Sequence, residues 1–266
     1  MPVIEITNKK IFYKVKGAGT PVVLMHGFGE DGKIWNGIVK NLEKNYLVIV
    51  PDLPGSGRSQ MLDGEVNLVD FAEIILKITQ KEFGRNKPFN LIGHSMGGYI
   101  SLALAKKYPS IIRSLGLFHS SAFADDENKI KKRQKSIRFI KKNGSLEFLK
   151  TSIPDLFSEI SKAKNPNFPD KLMHIASSIL PNTLIQYYEA MIRRSDTTSV
   201  LSTATFPVLF ILGKYDKAVP LDLGLKQCHL PSTSSVHILE SSAHMGMWEQ
   251  PKKSIGILNA FLQEFA

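Results

Sequence analysis

The chain has 266 residues, of which 43% are hydrophobic and 22% charged. These proportions suit one large globular domain, or one domain carrying an insertion; they exclude a disordered chain, a coiled coil and a collagen-like repeat. The formal net charge of +10 can point to nucleic acid, anionic lipid or acidic substrates. No aromatic-basic motif of a nucleic-acid module accompanies it, so no nucleic-acid partner is expected.

A single cysteine, Cys228, rules out an internal disulfide and suits a reducing compartment. No run of about 18 apolar residues exists, so no membrane span is expected. The first six residues lack the apolar core of a signal peptide, which makes the cytoplasm the expected location. The oligomeric state is not legible.

In chain order, residues 3–7 and 11–15 alternate in polarity around a turn at Asn8, Lys9 and Lys10, which predicts a hairpin. Short apolar runs follow at 22–25, 47–50, 90–92, 111–118, 207–212 and 236–239. Runs this short and apolar suit strands buried on both faces. Helix-length segments at 33–43, 66–83, 96–107, 221–229 and 251–265 lie between them. Alternating strands and helices predict an α/β fold with a mostly parallel sheet covered on both faces.

Residues 121–203 break this rhythm. They hold no convincing buried strand and read as helices at 126–142, 145–152, 168–179 and 182–194, interrupted by Pro154, Pro166, Pro169 and Pro181. A segment this long is a helical insertion rather than a plain loop. Within its first helix, residues 129–142 hold Lys129, Lys131, Lys132, Arg133, Lys135, Arg138, Lys141 and Lys142 and no acid. The simple reading is a solvated face, with Ile130, Ile137, Phe139 and Ile140 packed inward. The sharper reading is a patch that attracts an anionic substrate, a carrier-protein partner or an anionic membrane surface.

Gly93-His94-Ser95-Met96-Gly97, followed by Gly98, is a G-x-S-x-G pattern between a predicted strand and a predicted helix. A nucleophile on such a turn sits at strained backbone angles, and bulk two residues to either side would clash across it. His26-Gly27-Phe28-Gly29 follows another strand and can present a backbone N–H. The N–H groups of Phe28 and Met96 are the candidate pair of oxyanion donors. A serine needs a base. His244 lies in a loop after the strand at 236–239, whereas His94 points away from Ser95, His26 is structural, and His119, His174, His229 and His237 have no comparable setting. Asp216, just past the strand ending at 212, is the candidate carboxylate to orient His244; Asp125 and Asp126 are rivals.

With His26 to Gly29, Pro51-Asp52-Leu53-Pro54-Gly55-Ser56-Gly57-Arg58-Ser59, Gly93 to Gly98, Gly213-Lys214-Tyr215-Asp216 with Pro220, and Ala243-His244, the sequence resembles the α/β-hydrolase fold family over most of its length. Ala243 departs mildly from the family, where Gly is common. The resemblance implies an eight-stranded sheet whose second strand runs antiparallel. It also implies a core of residues 1–120 and 204–266, with a helical cap at 121–203 inserted after the sixth strand. It implies Ser95 as nucleophile, His244 as base, Asp216 as its orienter and an oxyanion hole at Phe28 and Met96. A serine there excludes relatives with an aspartate nucleophile. Trp35, Phe157, Met173, Met191, Met245 and Trp248 are the expected pocket residues.

The function expected is a carboxylesterase-like serine hydrolase acting on a small to medium apolar ester through an acyl-enzyme, with no metal or cofactor. Thioesterase, C–C bond hydrolase, perhydrolase, lyase, acyltransferase and slow-turnover receptor are alternatives on the same triad.

Overall fold

The computed structural model describes residues 2–265. Strands β1 (Val3–Ile6) and β2 (Lys9–Lys16) form the expected hairpin. Its turn is Thr7-Asn8 rather than 8–10. Both residues take left-handed φ values, 46° and 60°, which suits a two-residue turn matched to strand twist, so Lys9 and Lys10 already belong to β2.

Strands β3 (Thr20–Met25), β4 (Tyr46–Pro51), β5 (Phe89–His94), β6 (Ile112–Phe118), β7 (Val208–Gly213) and β8 (Ser234–Leu239) complete one eight-stranded sheet in the order β1-β2-β4-β3-β5-β6-β7-β8. β2 runs antiparallel to both neighbours and β3 to β8 are parallel. Strands β3 and β5 to β7 are buried almost throughout, as parallel strands covered on both faces should be. β8 departs from that expectation. It is the sheet's edge, and Val236 is exposed.

Successive residues point to opposite faces. Val22, Leu24, Val48, Val50 and Ile211 join one core cluster with α1 (Asn36–Leu42) and α11 (Pro251–Glu264). Val23, Met25, Ile49, Leu91 and Phe210 join the other with α2 (Leu68–Phe83) and α3 (Met96–Lys107). In α2, Asn67 and Asp70 form a capping box that fixes the start two residues later than the periodicity suggests.

Residues 121–203 contain five α-helices among the described residues. They are α4 (Glu127–Ser152), α5 (Glu159–Lys164), α6 (Phe168–Ala176), α7 (Pro181–Arg193) and α8 (Thr198–Ser202). α4 is broken at Gly144 (φ 85°), where the sequence reading splits it. α5 and α8 are too short to carry a periodic signal. Two further short helices, α9 (Leu221–Leu225) and α10 (Gly246–Glu249), lie in the loops after β7 and β8. No helix among the described residues is long and apolar enough to cross a membrane.

Candidate active site

Ser95 joins β5 directly to α3 and takes φ 51°, ψ −117°. A residue with a side chain holds such angles only where its surroundings over-determine them. Here its N–H donates to Phe118 O at 3.0 Å, and its carbonyl accepts from Ser120 Oγ at 2.7 Å and Gly98 N–H at 2.9 Å. The flanking glycines have steric causes. A Cβ at Gly93 would come within 2.4 Å of the Gly97 backbone, and one at Gly97 within 2.6 Å of His26 O. The His26-Gly29 loop lies against the serine, since a Cβ on Gly27 would stand 3.0 Å from Ser95 Cβ.

Because β3, β5, β6, β7 and β8 are sheet neighbours in that order, the loops at their carboxyl ends meet along one edge. His244 Nδ1 lies 2.7 Å from Asp216 Oδ2, and both side chains are buried. The other carboxylate oxygen accepts the N–H groups of Ala218 (2.8 Å) and Val219 (2.9 Å). Burial opposes the charge on Asp216, but the imidazoles of His244 and His119 win and hold its carboxyl far below the usual range. Burial likewise opposes the charged form of His244, yet the Asp216 charge holds its pKa above the ordinary 6.5. With Nδ1 held by the carboxylate, Nε2 is the nitrogen left to the cavity, which His244 lines together with Ser95. The rival acids stand elsewhere. Asp125 pairs with Arg133 and Arg194, and Asp126 caps α4 through the Lys129 N–H.

His119 has a setting that the sequence reading denied it. It follows β6 immediately, at φ 50°, and its Nδ1 lies 3.4 Å from Asp216 Oδ2. Its Nε2 accepts the Gly246 N–H at 3.2 Å, so the ring proton sits on Nδ1, facing the carboxylate. The 3.4 Å contact is long and weaker than the one from His244. Burial pushes His119 down to about 4, so the ring stays neutral. The available signal was positional: a histidine one residue past a buried strand that neighbours the Asp216 strand.

Glu30 was also missed. It is buried, accepts the Gly27 N–H at 2.7 Å and lies 3.0 Å from His94 Nδ1. His94 Nε2 in turn donates to His244 O at 2.9 Å. Glu30 and His94 thus tie the 26–29 loop to the His244 loop beneath Ser95. His26 is structural, its Nε2 accepting the Leu53 N–H at 2.9 Å.

A cavity of about 460 Å³ opens over Ser95. Phe28, Leu149, Ile153 and Met191 form apolar wall, and Phe28 stacks on Tyr188 at 4.2 Å between ring centroids. Of the six expected pocket residues, Met191 alone lines this cavity. Trp35 is fully buried against Phe118 and His94, and Met245 is fully buried in the same core cluster. Phe157 and Trp248 pack around Phe168, and Met173 packs on that cluster. These are core positions, so large apolar side chains near the site were a poor guide to its wall. The basic run also divides. Ile137 and Ile140 are buried, but Phe139 is exposed, and Lys129, Lys132 and Arg133 line the cavity instead of facing only solvent. No group of three or more His, Cys, Asp or Glu side chains among the described residues is arranged to hold a metal ion.

A buried-strand sheet of this order, with a strained serine at the β5–α3 turn, is the framework of an α/β hydrolase. The model of the alpha/beta hydrolase fold family matches residues 20–251, and the chain belongs to that family. A solved thermophilic esterase from Thermogutta terrifontis, malate bound, is similar with a TM-score of 0.94 and 25% identity, covering 100% of this chain and 99% of that one. The (E)-2-((N-methylformamido)methylene)succinate hydrolase of Acinetobacter baylyi is 24% identical over 96% of this chain and 95% of its own. The 2-hydroxy-6-oxononadienedioate/2-hydroxy-6-oxononatrienedioate hydrolase of a Pseudomonas species is 24% identical over 96% and 92%.

Proposed function

We propose that the chain is a serine hydrolase that cleaves a carboxylic ester of small to medium size through an acyl-enzyme. The observation that carries this reading is the hydrogen bond from His244 to the buried Asp216, at the mouth of a cavity shared with the strained Ser95. The esterase among its relatives supports the ester bond, and the two named hydrolase substrates are dicarboxylates.

Ser95 Oγ attacks the ester carbonyl while His244 Nε2 takes its proton. The imidazolium so formed is stabilised by Asp216, which keeps the ring in the productive tautomer. Negative charge on the former carbonyl oxygen is met by the N–H groups of Phe28 and Met96. Met96 is the first residue of α3, so its N–H has no acceptor within the helix, and the helix dipole adds to it. Collapse breaks the ester C–O bond, and His244 gives its proton to the departing alkoxide. Water, deprotonated by His244, then attacks the acyl group and releases the acid and Ser95. Helices α4 to α7 serve as a cap over this site. They supply Arg133, Leu149, Tyr188 and Met191 to the cavity and are pinned to the core, for example by Leu156 O accepting the His244 N–H at 2.9 Å and by Tyr187 Oη donating to Pro54 O at 2.8 Å.

The test is hydrolysis of p-nitrophenyl esters of graded acyl length. Serine-dependent turnover is expected, with kcat lowered by about 10⁶-fold in Ser95→Ala. Turnover that survives in Ser95→Ala contradicts the reading.

A further inference from the structure

The cavity over Ser95 has one wall unlike the rest. Lys129, Lys132 and Arg133 reach it from a single turn of α4, and Lys217 reaches it from the loop after β7. Positions 129, 132 and 133 share one helix face. Lys131, Lys135, Lys141 and Lys142 lie on other faces, exposed and outside the cavity.

The wall's positive charge is not cancelled where it stands. Arg133 Nε donates to Asp125 Oδ2 at 2.5 Å, but the same carboxylate also serves Arg194 at 2.8 Å and Lys129 at 3.8 Å. One buried carboxylate therefore faces three cations. Lys132 has no ion-pair partner among the described residues. Lys217 pairs with Asp155 at 2.8 Å, but both side chains are well exposed, so water screens the pair. Two carboxylates also line the cavity. Glu30 is committed to Gly27 and His94, and Asp126 is committed to capping α4.

A phenol within the wall reports the resulting field. Tyr99 is buried, which alone raises its pKa, yet Arg194, at 3.9 Å over its ring, with Lys129 and Arg133, holds it below the ordinary 10.0. The three cations thus act on groups that line the cavity, whose remaining surface at Phe28, Leu149, Ile153 and Met191 is apolar.

We propose that this wall is an anion subsite, and that the ester presented to Ser95 has a small apolar body ending in a carboxylate or phosphate. The ester cleaved is at one end and the anion at the other. This proposal rests on the ester-hydrolase reading for its substrate, but the subsite itself is a binding claim that can be tested without turnover.

The experiment compares kcat/KM for monoethyl adipate with that for ethyl hexanoate, two esters of matched shape that differ in the terminal carboxylate. The expected ratio favours the anionic ester by about tenfold or more, and rising salt lowers it. The double variant Lys132→Met/Lys217→Met lowers the ratio about fivefold or more, whereas Lys135→Met, which removes the same kind of charge outside the cavity, leaves it unchanged. In parallel, calorimetry on the Ser95→Ala protein follows binding of glutarate and glycerol 3-phosphate. Saturable binding weakened by the double variant is expected, and the tighter of the two names the anion. Turnover of both esters at equal rates, or a ratio moved as much by Lys135→Met as by the cavity variants, overturns the subsite and leaves the esterase standing. Anion binding without turnover of any ester does the reverse. Binding of neither anion overturns the subsite outright.

Discussion

His119 and His244 approach the same oxygen of Asp216, at 3.4 Å and 2.7 Å respectively. The sheet order explains the arrangement: His119 ends β6, Asp216 follows β7 and His244 follows β8, so the carboxylate stands between the two rings. His119 is neutral and faces the carboxylate with Nδ1; we propose that it helps to position the carboxylate that orients His244. His119→Asn keeps a residue that tolerates the left-handed backbone but withdraws the ring donor. The expected result is a fall in kcat of about tenfold or less with KM nearly constant. The acid limb of the pH profile should also move up, because more of the carboxylate's charge then falls on His244. A loss of kcat without any shift of the limb would leave His119 a packing role only.

The pH dependence follows from His244. In the proposed mechanism it must be neutral to take the Ser95 proton, and its pKa is held above 6.5 by Asp216. kcat/KM should therefore rise with pH through a limb above 6.5, and Asp216→Asn should move that limb down while lowering kcat by roughly 10⁴. A limb in Asp216→Asn at or above the wild-type position contradicts the assignment.

The same pair sets a window of stability. A depressed Asp216 contributes stability that is present above its unfolded pKa, near 3.8, and is lost as pH falls through its folded value. A raised His244 contributes stability that is full below 6.5 and is lost as pH rises through its folded value. The difference in Tm between wild type and Asp216→Asn should therefore be largest between those two pH values and shrink on either side. A difference independent of pH would show that the pair does not titrate with folding.

Asp125 is a structural carboxylate rather than a rival triad member. Its side chain is fully buried, and removing its charge leaves Arg133 and Arg194 without their ion-pair partner. Asp125→Asn should destabilise by about 3–5 kcal/mol, measured by urea unfolding. A change under about 1 kcal/mol would mean that water already screens the cluster.

Much of the site was legible because its turns have steric signatures. Gly93 is fixed by an approach of 2.4 Å to the Gly97 backbone across the strand-to-helix turn, and Gly97 by one of 2.6 Å to His26 O in the neighbouring loop. Asp216 and His244 were legible from their place just past strand ends. His119 was not, because a histidine one residue past a strand looks like any other until the strand order shows what stands beside it. Trp35 and Met245 were misplaced for a related reason: apolar periodicity marks what is buried but not whether core or cavity buries it. The basic run leaves two readings open, since its charges do not reveal that Lys129, Lys132 and Arg133 line the same cavity as Ser95.

The proposed acyl-enzyme mechanism requires Ser95 as the nucleophile. Peptide mapping after reaction with a fluorophosphonate tests it directly, with His244→Ala as a second sample. The prediction is one labelled serine, Ser95, in the wild-type protein and greatly slowed labelling in His244→Ala. Label on a different serine, or none on a folded protein, would contradict it.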